Sequence, residues 1–370
     1  MTRSRLAIVN RGSIALAAGD PFSAPLPGSE VVALNIARAF ADRGAIVTYY
    51  GLSAAGTRVP RVAIEPVSAL PRLPDGDDLT VLWLRDYATT VPDVALPSAR
   101  HVLLTEDSAN DLRAIFRSDL ATVASHVRSA LPRYDATVFA SRWHRDDWGE
   151  RLGLDPHSSV VVHNLAAHVP WRDRPATVPT RVVHTSHPRK ALAAVIAIAR
   201  LTDLDVTVSA HPSLYQDDHC RVIHPDGSGG WVDRGRFADV AAASPWTRFT
   251  APRPVAEMAA FLDGFDILLH PDYTEETGAT TVIEALRRGL LPVVSDRGAL
   301  PELVGNAGLV IDGDSWTADY ACRCADALAA LTSSDMERYG AARAGRRADL
   351  GDESIVAQWA QVLCLDEGKA

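Results

Sequence analysis

Cysteine is scarce. Four in 370 residues (Cys220, Cys322, Cys324 and Cys364) are too few for a disulfide framework and point to a reducing, cytoplasmic setting. Long apolar runs are missing as well. The longest, ALAAVIAIA at 191–199, falls well short of the ~20 residues that cross a bilayer. The start, MTRSRLAIVNRGS, turns polar too early for a secretory signal. There is no basic excess: the net charge is −9, with 17 Arg against 18 Asp and Glu in residues 1–170 and 20 Arg and Lys against 28 acids thereafter. That balance excludes a nucleic-acid binder and a protein held on anionic lipid, and no stable membrane insertion is expected. G-x-S-x-G, G-x-G-x-x-G and Walker A sequences are absent, which argues against a serine hydrolase, a nicotinamide enzyme and an ATPase. Lysine is nearly missing: 35 of 37 basic residues are Arg, and Lys190 and Lys369 are the exceptions. In so arginine-biased a chain, the internal Lys190 asks for an explanation.

What remains is an ordinary globular composition, 47% hydrophobic and 22% charged, with a length that suggests two domains. Strand-like runs alternate with helical patterns: 5–10, 45–51, 79–84, 100–105, 136–141 and 158–164 read as strands, and 29–44 as a helix ending at Gly44. The stretch 166–180 carries three prolines and no periodicity and reads as a linker. The alternation then restarts with strands at 180–186, 205–210, 264–271 and 290–296 and a helix from about 189 to 201. Continuous apolar strands between helices indicate parallel sheets covered on both faces. The expected fold class is therefore α/β, with two doubly wound Rossmann-like domains facing a cleft. Residues 1–168 form the first, 180–352 the second, and an amphipathic helix in 353–370 packs back across them. Ligand is expected at the carboxyl ends of the strands.

The segment HPDYTEETGATTVIEALRRG (270–289) carries the most chemistry. A strand ends near Leu269 and a helix opens near Thr280, with Gly278, Ala279 and Thr280 at its start. Backbone N–H groups and the positive end of the dipole make an anion site there, and small side chains admit a phosphate. Glu276 precedes that site and Glu284 lies one turn inside the helix. Carboxylates so placed suit the hydroxyls of a sugar nucleotide. A capped helix with solvated acids is the plainer alternative. Asp312-Gly-Asp314 has the D-x-D form of metal-dependent sugar transferases but follows a strand in a glycine turn, and a turn is the reading adopted. His211, His219, Cys220 and His224 match no common zinc spacing, so no metal site is assigned.

Glu276-x7-Glu284, within a run from His270 to Asp312 that also holds Gly289, Pro292, Ser295, Pro301 and Glu302, resembles the donor signature of the retaining GT-B glycosyltransferases, family four and its relatives. Three further stretches, 25–51, 134–164 and 182–192, resemble the same family. The resemblance implies a metal-independent, retaining glycosyltransferase that needs no cofactor beyond its donor substrate, a UDP- or GDP-sugar. The acceptor expected is a soluble small molecule. Lys190 matches the lysine that stands on the donor diphosphate, with Arg189 beside it, although His184 stands where an arginine is often found. Gly28 matches a turn near the donor phosphates. Glu276 would hold sugar hydroxyls, Glu284 the ribose, and Thr277, Gly278, Ala279 and Thr280 the phosphates. Glu106 stands at the family's usual acceptor-side histidine, with Asp107 after it. Both would face the acceptor, Glu106 in a catalytic role, unless Asp107 or Ser108 simply caps a helix running to Phe116. Sugar-nucleotide epimerisation and non-catalytic sugar-nucleotide binding are the rival functions.

Overall fold

The computed structural model describes residues 4–12, 14–87, 96–153, 159–175, 177–210, 219–223 and 231–365; the side chains of Arg189 and of 219–223 and 231–236 lie outside that description. Two compact units divide the chain. The first joins residues 1–167 to 350–370, and the second spans 168–349.

The first unit is built on a parallel seven-stranded sheet. Its strands are β1 (Arg5–Asn10), β2 (Ile46–Tyr50), β3 (Val62–Glu65), β4 (Leu79–Leu84), β5 (Arg100–Leu104), β6 (Ala136–Phe139) and β7 (Ser159–Val161), in the order 3-2-1-4-5-6-7. Every residue of β4 is buried, as the uninterrupted LTVLWL run requires of a central strand covered on both faces. Helices α1 (Gly28–Asp42), α2 (Ala109–Phe116), α3 (Leu120–Ala130) and α4 (Arg142–Leu152) supply the cover. Gly44, at φ +92°, reverses the chain after α1.

The second unit carries a parallel six-stranded sheet. Its strands are β8 (Arg181–His184), β9 (Asp205–Ser209), β12 (Thr247–Thr250), β13 (Ile267–His270), β14 (Leu291–Ser295) and β15 (Leu309–Ile311), ordered 12-9-8-13-14-15. A separate antiparallel pair, β10 (His219–Ile223) and β11 (Trp231–Arg236), stands beside it in sequence. Helices α5 (Pro188–Leu201), α6 (Phe237–Ala242), α7 (Met258–Leu262), α8 (Thr280–Arg287), α9 (Leu300–Val304), α10 (Ala318–Ala329) and α11 (Ser333–Leu350) complete the unit. Its core joins Val182, Val206, Ile267 and Val293 of the sheet to Leu192 and Val195 of α5 and Tyr320 of α10. Each such buried aliphatic side chain contributes about 1.5–3 kcal/mol.

The last helix, α12 (Asp352–Leu363), belongs to the first unit. Thr80 on β4 donates to the Leu363 carbonyl at 2.8 Å, Arg100 on β5 donates to that of Val362 at 2.9 Å, and Trp359 is buried.

Both sheets reverse strand order beside their first strand, and the two doubly wound α/β halves are those read from the strand–helix alternation. The reversal falls between β1 and β4 in the first unit and between β8 and β13 in the second. At such a point neighbouring loops leave the carboxyl edge in opposite directions and open a crevice. The 166–180 stretch is not a free connector. From His168 onward it is clamped along α8: Arg172 N–H donates to the Arg287 carbonyl at 2.7 Å, Arg288 to that of Pro170 at 2.9 Å, and Arg287 to that of Val169.

Candidate functional site

In the second unit β8 pairs with β13, Val182 opposite Ile267 and Val183 opposite Leu268, so the loops that follow them leave side by side. The first turns into α5 and presents Lys190. The second runs through Asp272 to Glu276 and on into α8. Two links fasten them: the Tyr273 N–H donates to the Lys190 carbonyl, and the Lys190 ammonium pairs with the Glu276 carboxylate. Lys190 is about one-third exposed, while Glu276 is buried. Thr277, Gly278 and Ala279 are buried behind it, and Thr280 opens α8 as expected. The structure thus brings Lys190, Glu276 and the start of α8 together at one sheet edge. Arg189 is in the first turn of α5, but its side chain lies outside the described residues.

Gly298 follows β14 and supports that loop. It lies at φ +59°, and a Cβ there would collide with the backbone of Glu276; the next N–H, of Ala299, donates to the Glu276 carbonyl at 2.6 Å. Glycine is required on both counts.

Behind Glu276 lie two groups that the motif reading did not single out. His270 and Asp272 are fully buried, and with Glu276 they bring one ring nitrogen and two carboxylate oxygens within 4.8 Å of one another. The donor set would suit a cation, but the Lys190 ammonium already supplies positive charge at Glu276. Burial lowers the pKa of His270 to about 3, which leaves it neutral. Burial, then the charge of Glu276, pushes the Asp272 carboxyl well up, so it stays protonated. Burial alone would raise Glu276 too, but the Lys190 ammonium overrides this and holds it ionised. One full negative charge therefore faces one full positive charge. His270 closes β13 and Asp272 follows it in the same 270–289 segment, which was the signal available for them.

Glu284 projects from α8, where His168 Nε2 meets its Oε1 at 2.8 Å, both side chains being nearly covered. His168 carried no sequence signal: it lies in an aperiodic stretch 116 positions from its partner.

In the first unit, Gly28 is the exposed first residue of α1. Glu106 and Asp107 follow β5 but differ in surroundings. Asp107 is buried and takes both nitrogens of the Arg85 fork at 2.7 Å, while its carbonyl accepts from His144 Nε2 and Trp148 Nε1 at 2.9 Å. Arg85 holds φ +53° to make that pair, an uncommon backbone region for a non-glycine residue. Ser108 caps α2 and shares a reciprocal capping box with Asp111. Asp107 is thus paired with Arg85, and Glu106 is the carboxyl beside it. Burial pushes the Glu106 pKa up to about 8 against the opposing charge of Arg85. Near neutral pH this carboxyl keeps a proton that the unfolded chain releases above its ordinary value of 4.5. The stability it contributes is therefore complete below pH 4.5 and lost as pH rises through about 8. Comparing urea midpoints of the wild type and Glu106→Gln from pH 5 to 9 should show the wild type losing ground as pH rises; parallel curves would mean that Glu106 titrates normally.

The two acids of the D-x-D sequence flank Gly313 at φ +103°, and each stands near an arginine: Asp312 with Arg323 at 3.9 Å and Asp314 with Arg297 at 3.8 Å. Of the His/Cys group, His211 and His224 and the side chains of His219 and Cys220 lie outside the described residues. Among the described residues, no helix is long and apolar enough to cross a membrane.

Residues 193–330 match the family model for glycosyl transferases group 1. The D-inositol 3-phosphate glycosyltransferase of Corynebacterium kroppenstedtii is 30% identical over 248 residues, which cover 65% of this chain and 47% of that protein. The chain thus spans about half the length of that relative. Among solved structures, Anabaena HepE in complex with UDP-glucose superposes with a TM-score of 0.68 at 13% identity, covering 98% of this chain and all of the other. Sucrose-phosphate synthase from Thermosynechococcus elongatus gives 0.65 at 13% identity, covering 97% and 98%. AviGT4, a glycosyltransferase involved in avilamycin A biosynthesis, gives 0.62 at 16%, covering 99% of each chain. These likenesses establish the fold: two Rossmann-like domains of the GT-B type.

Proposed function

We propose that the protein is a retaining glycosyltransferase that moves a sugar from a nucleoside diphosphate sugar to a small hydroxyl-bearing acceptor, acting in the cytoplasm. The observation that carries this reading is the meeting of Lys190 with Glu276 at the opening of α8, one cation and one carboxylate beside a helix N-terminus. As the bond from sugar to diphosphate breaks, negative charge grows on the leaving phosphate. Lys190 and the backbone at Gly278, Ala279 and Thr280 stabilise that charge where it appears. Glu276, kept ionised by Lys190, accepts hydrogen bonds from sugar hydroxyls, and Glu284 accepts them from the ribose. On the first unit Glu106 is the acceptor-side group. The UDP-glucose held by HepE favours a uridine donor, and a thermal-shift series with UDP-, GDP- and dTDP-sugars tests the choice.

Two outcomes follow. Turnover should survive EDTA, because an ammonium and backbone amides carry the phosphate charge; loss of activity restored by Mg²⁺ or Mn²⁺ would return the D-x-D turn or the His270 cluster to the mechanism. The product should also keep the anomeric configuration of the donor. An inverting reaction needs a base on the face opposite the leaving group, whereas in a retaining one the departing phosphate takes the acceptor proton. Glu106, protonated at neutral pH, is poorly suited to be that base. The anomeric coupling constant of the purified product decides: an α-hexosyl donor giving a β-linked product overturns the assignment. Consumption of donor without acceptor would favour the epimerase.

A further inference from the structure

We propose that His168 is a positioning residue for donor recognition: it fixes the carboxylate of Glu284 in the orientation that takes the ribose diol. The proposal rests on the reading of Glu284 as the ribose ligand. Glu284 leaves α8 on a side chain with three rotatable bonds, and an unrestrained carboxylate there would have to be ordered when the nucleotide binds. His168 removes that freedom in advance. Its Nε2–H donates to Oε1 at 2.8 Å, with the imidazole about 3% and the carboxylate about 10% exposed. An ionised carboxylate offers about four acceptor positions, so one bond from His168 leaves Oε2 and a lone pair of Oε1 for the two ribose hydroxyls.

The chain delivers His168 by construction. The following residues are laced to α8 just beyond Glu284: Arg287 donates to the Val169 carbonyl, Arg288 to that of Pro170, and the Arg172 N–H to that of Arg287. Trp171 then lies against the guanidinium groups of Arg287 and Arg347, at 5.6 and 5.9 Å from its ring centre. Arg288 is itself held by Asp263, which also pairs with Arg172 at 2.6 Å. The same helix thus supplies the carboxylate and the anchors of the strap that aims it. A partner so fixed spends little entropy in holding Glu284 still.

The test measures the Kd of UDP and GDP, each against its 2′,3′-dideoxy analogue, by calorimetry on the full-length protein. The ratio of dideoxy to ribo Kd isolates recognition of the hydroxyls from recognition of the phosphates and base. The wild type should prefer one of the ribonucleotides, and Glu284→Ala should abolish that preference. His168→Ala should cut the preference by roughly three- to tenfold, the order expected when one polar side chain must be ordered on binding, and His168→Gln, which keeps a donor, should restore most of it. A purely structural role would weaken ribo and dideoxy ligands alike and leave the ratio where it was. If the alanine variant fails to fold, His168→Leu fills the space without a donor and reads the same ratio. An unchanged ratio in both apolar variants, with Glu284→Ala losing it, sinks the positioning role and leaves the donor reading standing. An intact ratio in Glu284→Ala, or a wild type that binds neither nucleotide, overturns both.

Discussion

Lys190→Ala should lower kcat by about 10²–10³-fold while raising the donor KM far less. The size is that of removing one group aimed at charge that develops in a transition state. The split follows from where the charge is. On the proposed donor reading, the diphosphate in the ground state shares its charge with solvent and with the backbone at the start of α8. As the glycosidic bond breaks, a further negative charge appears on the leaving oxygen, and an ammonium at that spot is worth most then. The pairing with Glu276 adds a second consequence. Without the ammonium, burial drives the Glu276 carboxyl toward its neutral form and weakens its grip on sugar hydroxyls. Lys190→Arg keeps the charge but spreads it over a planar fork, so only partial activity should return. Steady-state kinetics across a donor series decide the matter: a change confined to KM would make Lys190 a binding residue with no share in the chemical step.

Trp148→Ala should destabilise the first unit by roughly 3–5 kcal/mol, the usual cost of emptying a fully buried tryptophan site. Trp148 is completely buried, edge-on to Phe139 and His144 and tilted against Tyr87. Its indole N–H shares the Asp107 carbonyl with His144, whose pKa burial lowers to about 4, so a neutral ring makes that bond. The substitution therefore opens a cavity and removes one of the hydrogen bonds that hold the loop after β5. In a unit of this size the expected loss corresponds to a fall in Tm of roughly 6–20 °C. Urea and thermal unfolding followed by near-UV dichroism would measure it. A loss below about 1 kcal/mol would mean that the surrounding rings close over the gap. If Glu106 takes the acceptor as proposed, activity should fall in parallel, because that carboxyl stands on the loop which Trp148 helps to hold.

The doubly wound halves could be read from sequence because their central strands are uninterrupted apolar runs such as RLAIVN and LTVLWL, and the helix at Thr280 because small residues precede an apolar stripe. Strands that escaped notice have weaker patterns for a physical reason. β3 (VAIE) is an edge strand with alternating exposure, and β12 (TRFT) is half polar. Neither buries enough apolar surface to announce itself. Lys190 was conspicuous through rarity. The pairing of Asp107 with Arg85 was not legible, since Arg85 is one of 35 arginines and their approach depends on β4 and β5 lying side by side. The grip of His168 on Glu284 spans 116 positions, and no local pattern encodes a contact of that kind.

The first unit is completed by α12, and this orders events at the ribosome. Residues 168–349 are made between the two parts of that unit, so the second unit can fold while the first still waits for its last helix. At the usual 5–20 residues per second, the wait is roughly ten to forty seconds. Through that interval the carbonyl partners of Thr80 and Arg100 do not yet exist, and the surface that will receive Ile355, Val356 and Trp359 stays open to water and to other nascent chains. The first unit is therefore open to misassociation while residues 168–349 are being made, and slowing translation across them would lengthen that interval.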